Sequence, residues 1–408
     1  MIITRTPYRV TLGGGGTDLP SFYREHGGFV LAVAIDKYMY LNVNTPIVDD
    51  KIRVKYTQSE LADHVDQVQH TLAREALRHF GVTRGIEIVS IADIPAGTGL
   101  GSSSSYLVGL LNAMHALVQS PVGPLQLAEE ACHIELDILK KPIGKQDQYM
   151  AAFGGLTILD ISPDGKVKVV RLELDVEVLE ALEHNLLMFY THDMRDATAI
   201  LHKQDSATKR NDKIVVSSLR EIKDIGMETC SAIVNGNLRR FGELMDIHWQ
   251  TKKRLAEGIT NPQIDAWYEL AKLHGAIGGK ISGAGGGGFL TLYCEGETTQ
   301  LREAMRAAGL RQLNFRFDFE GSKVIFDVVS RDGRLAHIQR HNHREQERAA
   351  VAGLLDESFR QSGPLIMPKR LPLRVKASRT AYGQLPVVTP QRFTKPPRQP
   401  VNSGGKQD

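Results

Sequence analysis

One stretch constrains this chain more than any other: Ile94-Pro95-Ala96-Gly97-Thr98-Gly99-Leu100-Gly101-Ser102-Ser103-Ser104-Ser105. Upstream, Ile86-Glu87-Ile88-Val89-Ser90-Ile91 alternates and is rich in β-branched residues, which predicts a strand. Downstream, Leu107, Leu110, Leu111, Met114, Leu117 and Val118 recur at helical spacing. A glycine loop between strand and helix lets backbone approach an anion closely. The helix start adds free N–H groups and the positive end of its dipole. Serine hydroxyls at the same place add hydrogen bonds or hold a metal ion. The loop therefore reads as a polyphosphate cradle. It is not a Walker A loop, since no Gly-Lys-Ser/Thr closes it, and the serine run breaks the dinucleotide spacing. The plainer alternative is a glycine turn capped by serine.

The chain has 408 residues, enough for two domains and an additional segment. Cys132, Cys230 and Cys294 are few and widely spaced, which argues against a disulfide framework or zinc cluster and for bland thiols in a reducing compartment. No apolar run approaches the length of a membrane span. The opening Met1-Ile2-Ile3-Thr4-Arg5-Thr6-Pro7 lacks the apolar stretch of a secretory signal, so the expected location is cytoplasmic. Charge is uneven. From Arg331 onward there are about 15 Lys/Arg against 6 Asp/Glu, roughly +9, which leaves roughly −6 on the remainder. The acidic remainder gives no reason to expect nucleic-acid binding. The segment 333–408 is basic and rich in proline and is expected to be a disordered tail. Binding of RNA, an acidic partner or a membrane surface is the sharper alternative for it.

Thr6 to Leu12 and Phe29 to Val43 are expected as strands, separated by the Gly13-to-Gly16 turn and a short helix near Leu19 to Glu25. Leu61 to Phe80 and Leu125 to Leu139 are expected as helices, the latter stopped by Pro142 and Gly144. Further strands are expected around the Pro163-Asp164-Gly165 turn and at Leu186 to Tyr190. Long helices should fill much of Ala197 to Gly258, with another over Pro262 to Leu273. A second glycine loop, Gly278 to Gly288, runs into a strand over Phe289 to Cys294. A helix over Leu301 to Ala308 and a last strand over Lys323 to Val329 follow.

Two further segments carry chemistry. Glu135 lies on an expected helix, and Ile143-Gly144-Lys145-Gln146-Asp147-Gln148 follows a break, so both carboxylates are able to face one pocket. One such carboxylate takes or orients a hydroxyl proton; another holds Mg²⁺ through hard oxygen. Two acids twelve positions apart are otherwise ordinary surface charges. In Pro7-Tyr8-Arg9-Val10-Thr11-Leu12-Gly13-Gly14-Gly15-Gly16-Thr17-Asp18, a cation and a carboxylate flank a permissive turn. A salt-bridged Arg9 and a helix-capping Asp18 are the bland counterpart.

The three segments in this order, with Ile281-Ser282-Gly283-Ala284-Gly285-Gly286-Gly287, resemble the GHMP kinase superfamily over about residues 2 to 330. Arg5-Thr6-Pro7-Tyr8-Arg9, Gly14 to Pro20, Ala34-Ile35-Asp36-Lys37-Tyr38 and Pro142 to Tyr149 resemble its sugar 1-kinase branch, typified by heptose 7-phosphate kinases. The resemblance implies an α+β, two-domain fold, with a ribosomal protein S5 domain 2-like domain over 1–184 and a ferredoxin-like domain over 185–332. It implies an ATP-dependent, Mg²⁺-assisted kinase acting on a small sugar phosphate. Asp147 matches the catalytic aspartate, with Arg9 near the transferred phosphate. Ser103 and Glu135 match the Mg²⁺ ligands, with Ser104 as the alternative to Ser103. Pro95, Gly97, Gly99, Leu100, Gly101, Ser102, Ser103, Ser104 and Ser105 would wrap the ATP phosphates. Gly16, Thr17, Asp18, Lys145, Arg195, Gly283 and Gly285 would meet the substrate.

Galactokinases carry Gly-Glu-His-Thr-Asp where this chain has Gly14-Gly15-Gly16-Thr17-Asp18, which leaves room for a different sugar. Arg24, His26, Lys37, Lys145 and Arg195 are the candidates for a distal phosphate. The implied reaction is phosphorylation of D-glycero-D-manno-heptose 7-phosphate to the 1,7-bisphosphate, for nucleotide-heptose and surface polysaccharide. A 1-kinase for a free sugar such as fucose and an inactive sugar- or nucleotide-binding protein are the rivals. Whether the chain forms a homodimer is left open.

Overall fold

The computed structural model describes residues 1–192 and 197–328. Arg195 and the tail 333–408 lie outside the described residues. Apolar and β-branched residues make two long N-terminal strands, β1 (Ile2–Gly13) and β2 (Gly28–Asn44), which pair antiparallel from Ile2 against Val43 to Gly13 against Leu31. Between them lies α1 (Pro20–His26), with Pro20 in the first turn, where a missing N–H costs nothing. β3 (Ile52–Lys55), β4 (Ser59–Ala62), α2 (Thr71–His79) and β5 (Ile86–Ala92) follow.

The continuous helix expected over Leu61 to Phe80 does not form. Leu61 belongs to β4, Val65–Gln67 is a single 3₁₀ turn, and α2 starts where His70 Nδ1 accepts from Ala73 N. Val65, Val68, Leu72, Ala76 and Leu77 are all buried, so the turn and the short helix together mimic the spacing of one long helix.

The glycine loop leads into α3 (Ser102–Leu117). α4 (Pro124–Cys132) continues into a π-helical turn, His133–Ile138, where one regular helix was expected. α5 (Gln146–Phe153), β6 (Leu156–Ile161), β7 (Val167–Arg171) and α6 (Val176–Asn185) complete the first region. The second region holds β8 (Leu186–Tyr190), α7 (Ala197–Lys209), α8 (Lys213–Val234), α9 (Leu238–Lys252) and α10 (Pro262–Leu273). β9 (Gly278–Ile281), β10 (Phe289–Tyr293), α11 (Thr299–Ala307), β11 (Arg311–Leu313) and β12 (Lys323–Asp327) follow. Gly278 to Ile281, expected inside the second glycine loop, is thus a strand paired with β10.

One eight-stranded sheet runs β12-β1-β2-β5-β3-β4, with β6 paired to β2 and β7 to β6. A second, antiparallel sheet runs β11-β8-β10-β9, the order of a split β-α-β-β-α-β unit. β12 leaves the second region and pairs with β1, so the last described strand belongs to the first sheet rather than to the 185–332 unit. α3 and α5 cover β1 and β2, while Phe189, Trp249, Tyr268, Ile281 and Leu290 fill a separate core in the second region. Among the described residues no helix is long and apolar enough to cross a membrane. Cys132 and Cys294 are buried and, like Cys230, free.

Candidate active site

Strand β1 is sewn to the glycine loop along its length. Tyr8 Oη donates to Ile94 O at 3.1 Å, Arg9 N to Leu100 O at 3.1 Å, and Ser105 Oγ to Pro7 O at 2.9 Å. Arg9 Nη1 donates to Gly99 O at 2.7 Å. The loop is thereby held rigid before any ligand arrives. Gly101 precedes α3 with φ of 84°, a left-handed conformation that glycine adopts without strain. The N–H groups of the first turn of α3 have no acceptor inside the helix and face an anion site by default.

Three consecutive residues in the first turn of α5 reach different partners. Gln146 N donates to Asp18 Oδ2 at 3.0 Å, while Thr11 Oγ1 donates to Gln146 Oε1 at 2.6 Å. Arg9 Nε donates to Asp147 Oδ1 at 2.7 Å, and the guanidinium forms an ion pair with the same oxygen. Gln148 Nε2 donates to Glu135 Oε2 at 2.7 Å. Asp147 lies against Gly101, where a Cβ would stand 3.4 Å from its Cγ. Asp18 also accepts from Gly16 N at 3.1 Å, and burial, the dominant effect, raises its pKa from the ordinary range. Gly144 makes this packing feasible, because a Cβ there would sit 1.9 Å from Asp18 Oδ2. Gly144→Ala is therefore expected to cost about 1–3 kcal/mol of stability. A thermal melt checks it, and an unchanged midpoint contradicts the packing.

Glu135 is fully buried at the π-helical turn, a local widening often found at functional sites. Its carboxylate accepts from Ser103 Oγ at 2.8 Å, Ser104 Oγ at 2.7 Å and Lys141 Nζ at 2.9 Å. Lys141 Nζ also donates to Ser103 Oγ at 3.0 Å, so an ammonium lies across the two oxygens expected to hold a metal. Ser103 is exposed to the cleft and Ser104 is buried, so Ser103 is the serine accessible to a ligand.

Arg9, Asp18, Ser103, Ser104, Lys141, Gln146 and Asp147 line one cleft of about 990 Å³, while Glu135 and Gln148 are buried and not among its lining residues. At one end Tyr56 meets His70 edge to face and His70 lies tilted on Tyr106, with ring centroids 4.7 and 4.5 Å apart, beside Met39 and Leu72. Tyr106 Oη is buried there without a partner. At the other end stand Arg9, His248, Lys252 and Lys280. Burial, reinforced by the Arg9 charge, lowers the Lys252 pKa to about 7. Burial also holds Lys280 and His248 well below their ordinary ranges, with the neighbouring cations adding to it.

The pH consequence has a definite sign. The unfolded chain keeps Lys252 protonated up to the ordinary lysine value of 10.5, the folded chain only to about 7. Between those values unfolding takes up a proton, so this group makes stability rise with pH by up to about 1.4 kcal/mol per unit. Urea titrations at neutral and alkaline pH should show a shallower rise in Lys252→Met, and equal slopes contradict the assignment.

Of the residues singled out in the sequence, Pro95, Gly97, Gly99, Gly101, Ser102, Ser103, Ser104, Arg9, Gly16, Asp18, Asp147 and Gly283 line this cleft. Leu100, Ser105 and Thr17 are buried behind it: Ser105 holds Pro7 O, and Thr17 Oγ1 ties Gly14 O and Phe29 O. Gly285 packs on Ile259. Lys145 donates to Gly165 O at 2.6 Å, and Lys37 pairs with Asp36, so neither lines the cleft. Arg24 and His26 are not among its lining residues either, and Arg195 lies outside the described residues. Sequence reasoning missed Lys141, His248, Lys252, Lys280 and the aromatic end. Gln146 and Gln148 flank Asp147 in the same motif, the one available signal.

The chain is similar to known proteins. The family model described as GHMP kinases N terminal domain matches residues 66–155, and GHMP kinases C terminal matches 230–310. The chain is 27% identical over 334 residues to D-glycero-alpha-D-manno-heptose 7-phosphate kinase of Campylobacter jejuni, covering 79% of this chain and 98% of that protein. It is 25% identical over 329 residues to the bifunctional fucokinase/GDP-fucose pyrophosphorylase of Arabidopsis thaliana, covering 75% of this chain and 30% of that longer protein. Its fold matches a crystal structure of a D-glycero-D-manno-heptose 1-phosphate kinase from Bacteroides thetaiotaomicron with a TM-score of 0.65 and 23% identity, covering 81% of this chain and 100% of the other.

Proposed function

Because this chain belongs to the GHMP kinases and is an ATP-dependent sugar kinase, we propose that it phosphorylates the anomeric hydroxyl of D-glycero-D-manno-heptose 7-phosphate. The product would be the 1,7-bisphosphate, a precursor for nucleotide-activated heptose and surface polysaccharide. One observation carries the chemistry: Arg9 clamps Asp147 against the glycine loop in the same cleft that Ser103 lines, with buried Glu135 held behind it by the Ser103 hydroxyl. The choice of acceptor is supported by likeness across 98% of the Campylobacter jejuni heptose kinase.

In this reading ATP lies with its base towards Tyr56, His70 and Tyr106 and its phosphates on the loop amides. Ser103 and Glu135 suit Mg²⁺: both are hard oxygen donors, and the ammonium of Lys141 across them marks a place that attracts positive charge. Mg²⁺ held there would neutralise charge on the β- and γ-phosphate oxygens. Asp18 and Gly16 would meet acceptor hydroxyls. Asp147 accepts or orients the hydroxyl proton as the oxygen attacks, and Arg9 with the loop amides faces the charge on the transferring group.

ADP release with a panel of free and phosphorylated sugars tests this. Highest kcat/KM with the heptose 7-phosphate is the expected result. Preference for free fucose supports the second reading, which the fucokinase match favours. No ADP with any sugar would leave a binding protein without catalysis.

A further inference from the structure

Four basic side chains gather on one wall of the cleft: Arg9 from β1, His248 and Lys252 from α9, and Lys280 from β9. They are only 4, 2, 7 and 2% exposed, respectively. Arg9 has Asp147 as its counter-ion. The two lysines reach backbone carbonyls instead: Lys280 Nζ donates to Leu12 O at 3.0 Å, and Lys252 Nζ to Gly283 O and Ile281 O. Among the described residues no carboxylate pairs with either lysine. His248 Nδ1 lies 3.3 Å from Lys280 Nζ, and its Nε2 is buried with no partner. Gly283, whose carbonyl Lys252 holds, packs directly on Gly99, so this wall begins where the two glycine loops touch.

Buried cations without a counter-ion strongly disfavour the folded state. Two such lysines beside an open cleft, with a partnerless imidazole nitrogen, are what a ligand supplying negative charge would complete. We propose that Lys252, Lys280 and His248, beside Arg9, form a second phosphate seat in the cleft, separate from the first turn of α3. The phosphate comes from one of two sources: the ester phosphate of the acceptor, or the phosphoryl group in transfer. Only that choice of source rests on the kinase reading. The lowered pKa of Lys252 adds a signature, since an arriving dianion restores its proton. The groups facing Lys252 are Arg9, Lys280 and His248, with Asp147 beyond Arg9.

The test titrates inorganic phosphate into the nucleotide-free full chain at pH 8, by calorimetry in two buffers of different ionisation heat. Saturable binding with net proton uptake is expected, weakened at least about tenfold in Lys252→Met and in Lys280→Met. Lys166→Met, which removes an exposed lysine from the β6–β7 turn, should bind as the parent does. Circular dichroism confirms folding, and either variant that folds decides the matter. Kinetics then separate the sources. A rise in KM confined to the phosphorylated member of a sugar/sugar-phosphate pair assigns the seat to the acceptor. A fall in kcat with both acceptors assigns it to the transferred group. No phosphate binding by the parent, or parent-like binding in both lysine variants, overturns the proposal. Phosphate binding through these lysines without ADP release from any sugar would leave the seat standing and remove the kinase reading.

Discussion

Asp147→Asn should lower kcat and kcat/KM together by about 10²–10⁴-fold while leaving nucleotide affinity within a few fold of the parent. The amide keeps the shape and can still accept from Arg9, but it cannot take a proton from an acceptor hydroxyl. The glycine loop owes its conformation to other contacts, namely Tyr8 on Ile94 O, Arg9 N on Leu100 O and Arg9 Nη1 on Gly99 O. Binding of an ATP analogue and transfer should therefore come apart in this variant. Equilibrium titration with the analogue and single-turnover transfer measure the two separately. Turnover at the parent rate would remove Asp147 from the chemistry, and joint loss of binding and transfer would make its role architectural.

Glu135→Gln should be the more damaging to the fold. The carboxylate is completely buried and accepts from Ser103, Ser104, Gln148 and Lys141, all of which are donors in this arrangement. An amide brings its own N–H groups against at least one of them and removes the charge that balances Lys141. A loss of about 3 kcal/mol is expected, since a buried donor is left facing a donor and the ion pair is broken. Activity should fall by at least about a hundredfold and need more Mg²⁺ to reach its maximum. Urea midpoints and a Mg²⁺ titration of turnover check both effects. A parent-like midpoint with parent-like Mg²⁺ dependence contradicts the assignment of Glu135.

The parts of the site legible in the sequence are those whose signal is local. Alternation in Ile86 to Ile91, the glycines from Gly97 to Gly101 and the apolar period of α3 each follow from neighbouring residues. Asp147 and Glu135 are recognisable as a pair only through their motif, because eleven intervening positions say nothing about a π-helical turn. Lys252 ends a helix and Lys280 sits in a strand of glycines and an isoleucine. Nothing in their spacing announces that β9 pairing with β10 will bring them against β1. Lys145 illustrates the converse: it stands two positions from Asp147, but α5 starts at Gln146 and Lys145 turns to Gly165 O. The return of β12 to β1 is a pairing across more than 300 residues that no local pattern encodes.

The central claim is that three remote segments meet as one phosphoryl-transfer cleft. A crystal structure of the full chain with a non-hydrolysable ATP analogue, Mg²⁺ and the sugar phosphate measures it directly. The account predicts the Asp147 carboxylate within about 3.2 Å of the acceptor's anomeric oxygen, with the γ-phosphoryl on the far side of that oxygen and against Arg9. A nucleotide bound away from Gly97 to Ser103, or an acceptor oxygen out of reach of Asp147, would contradict it.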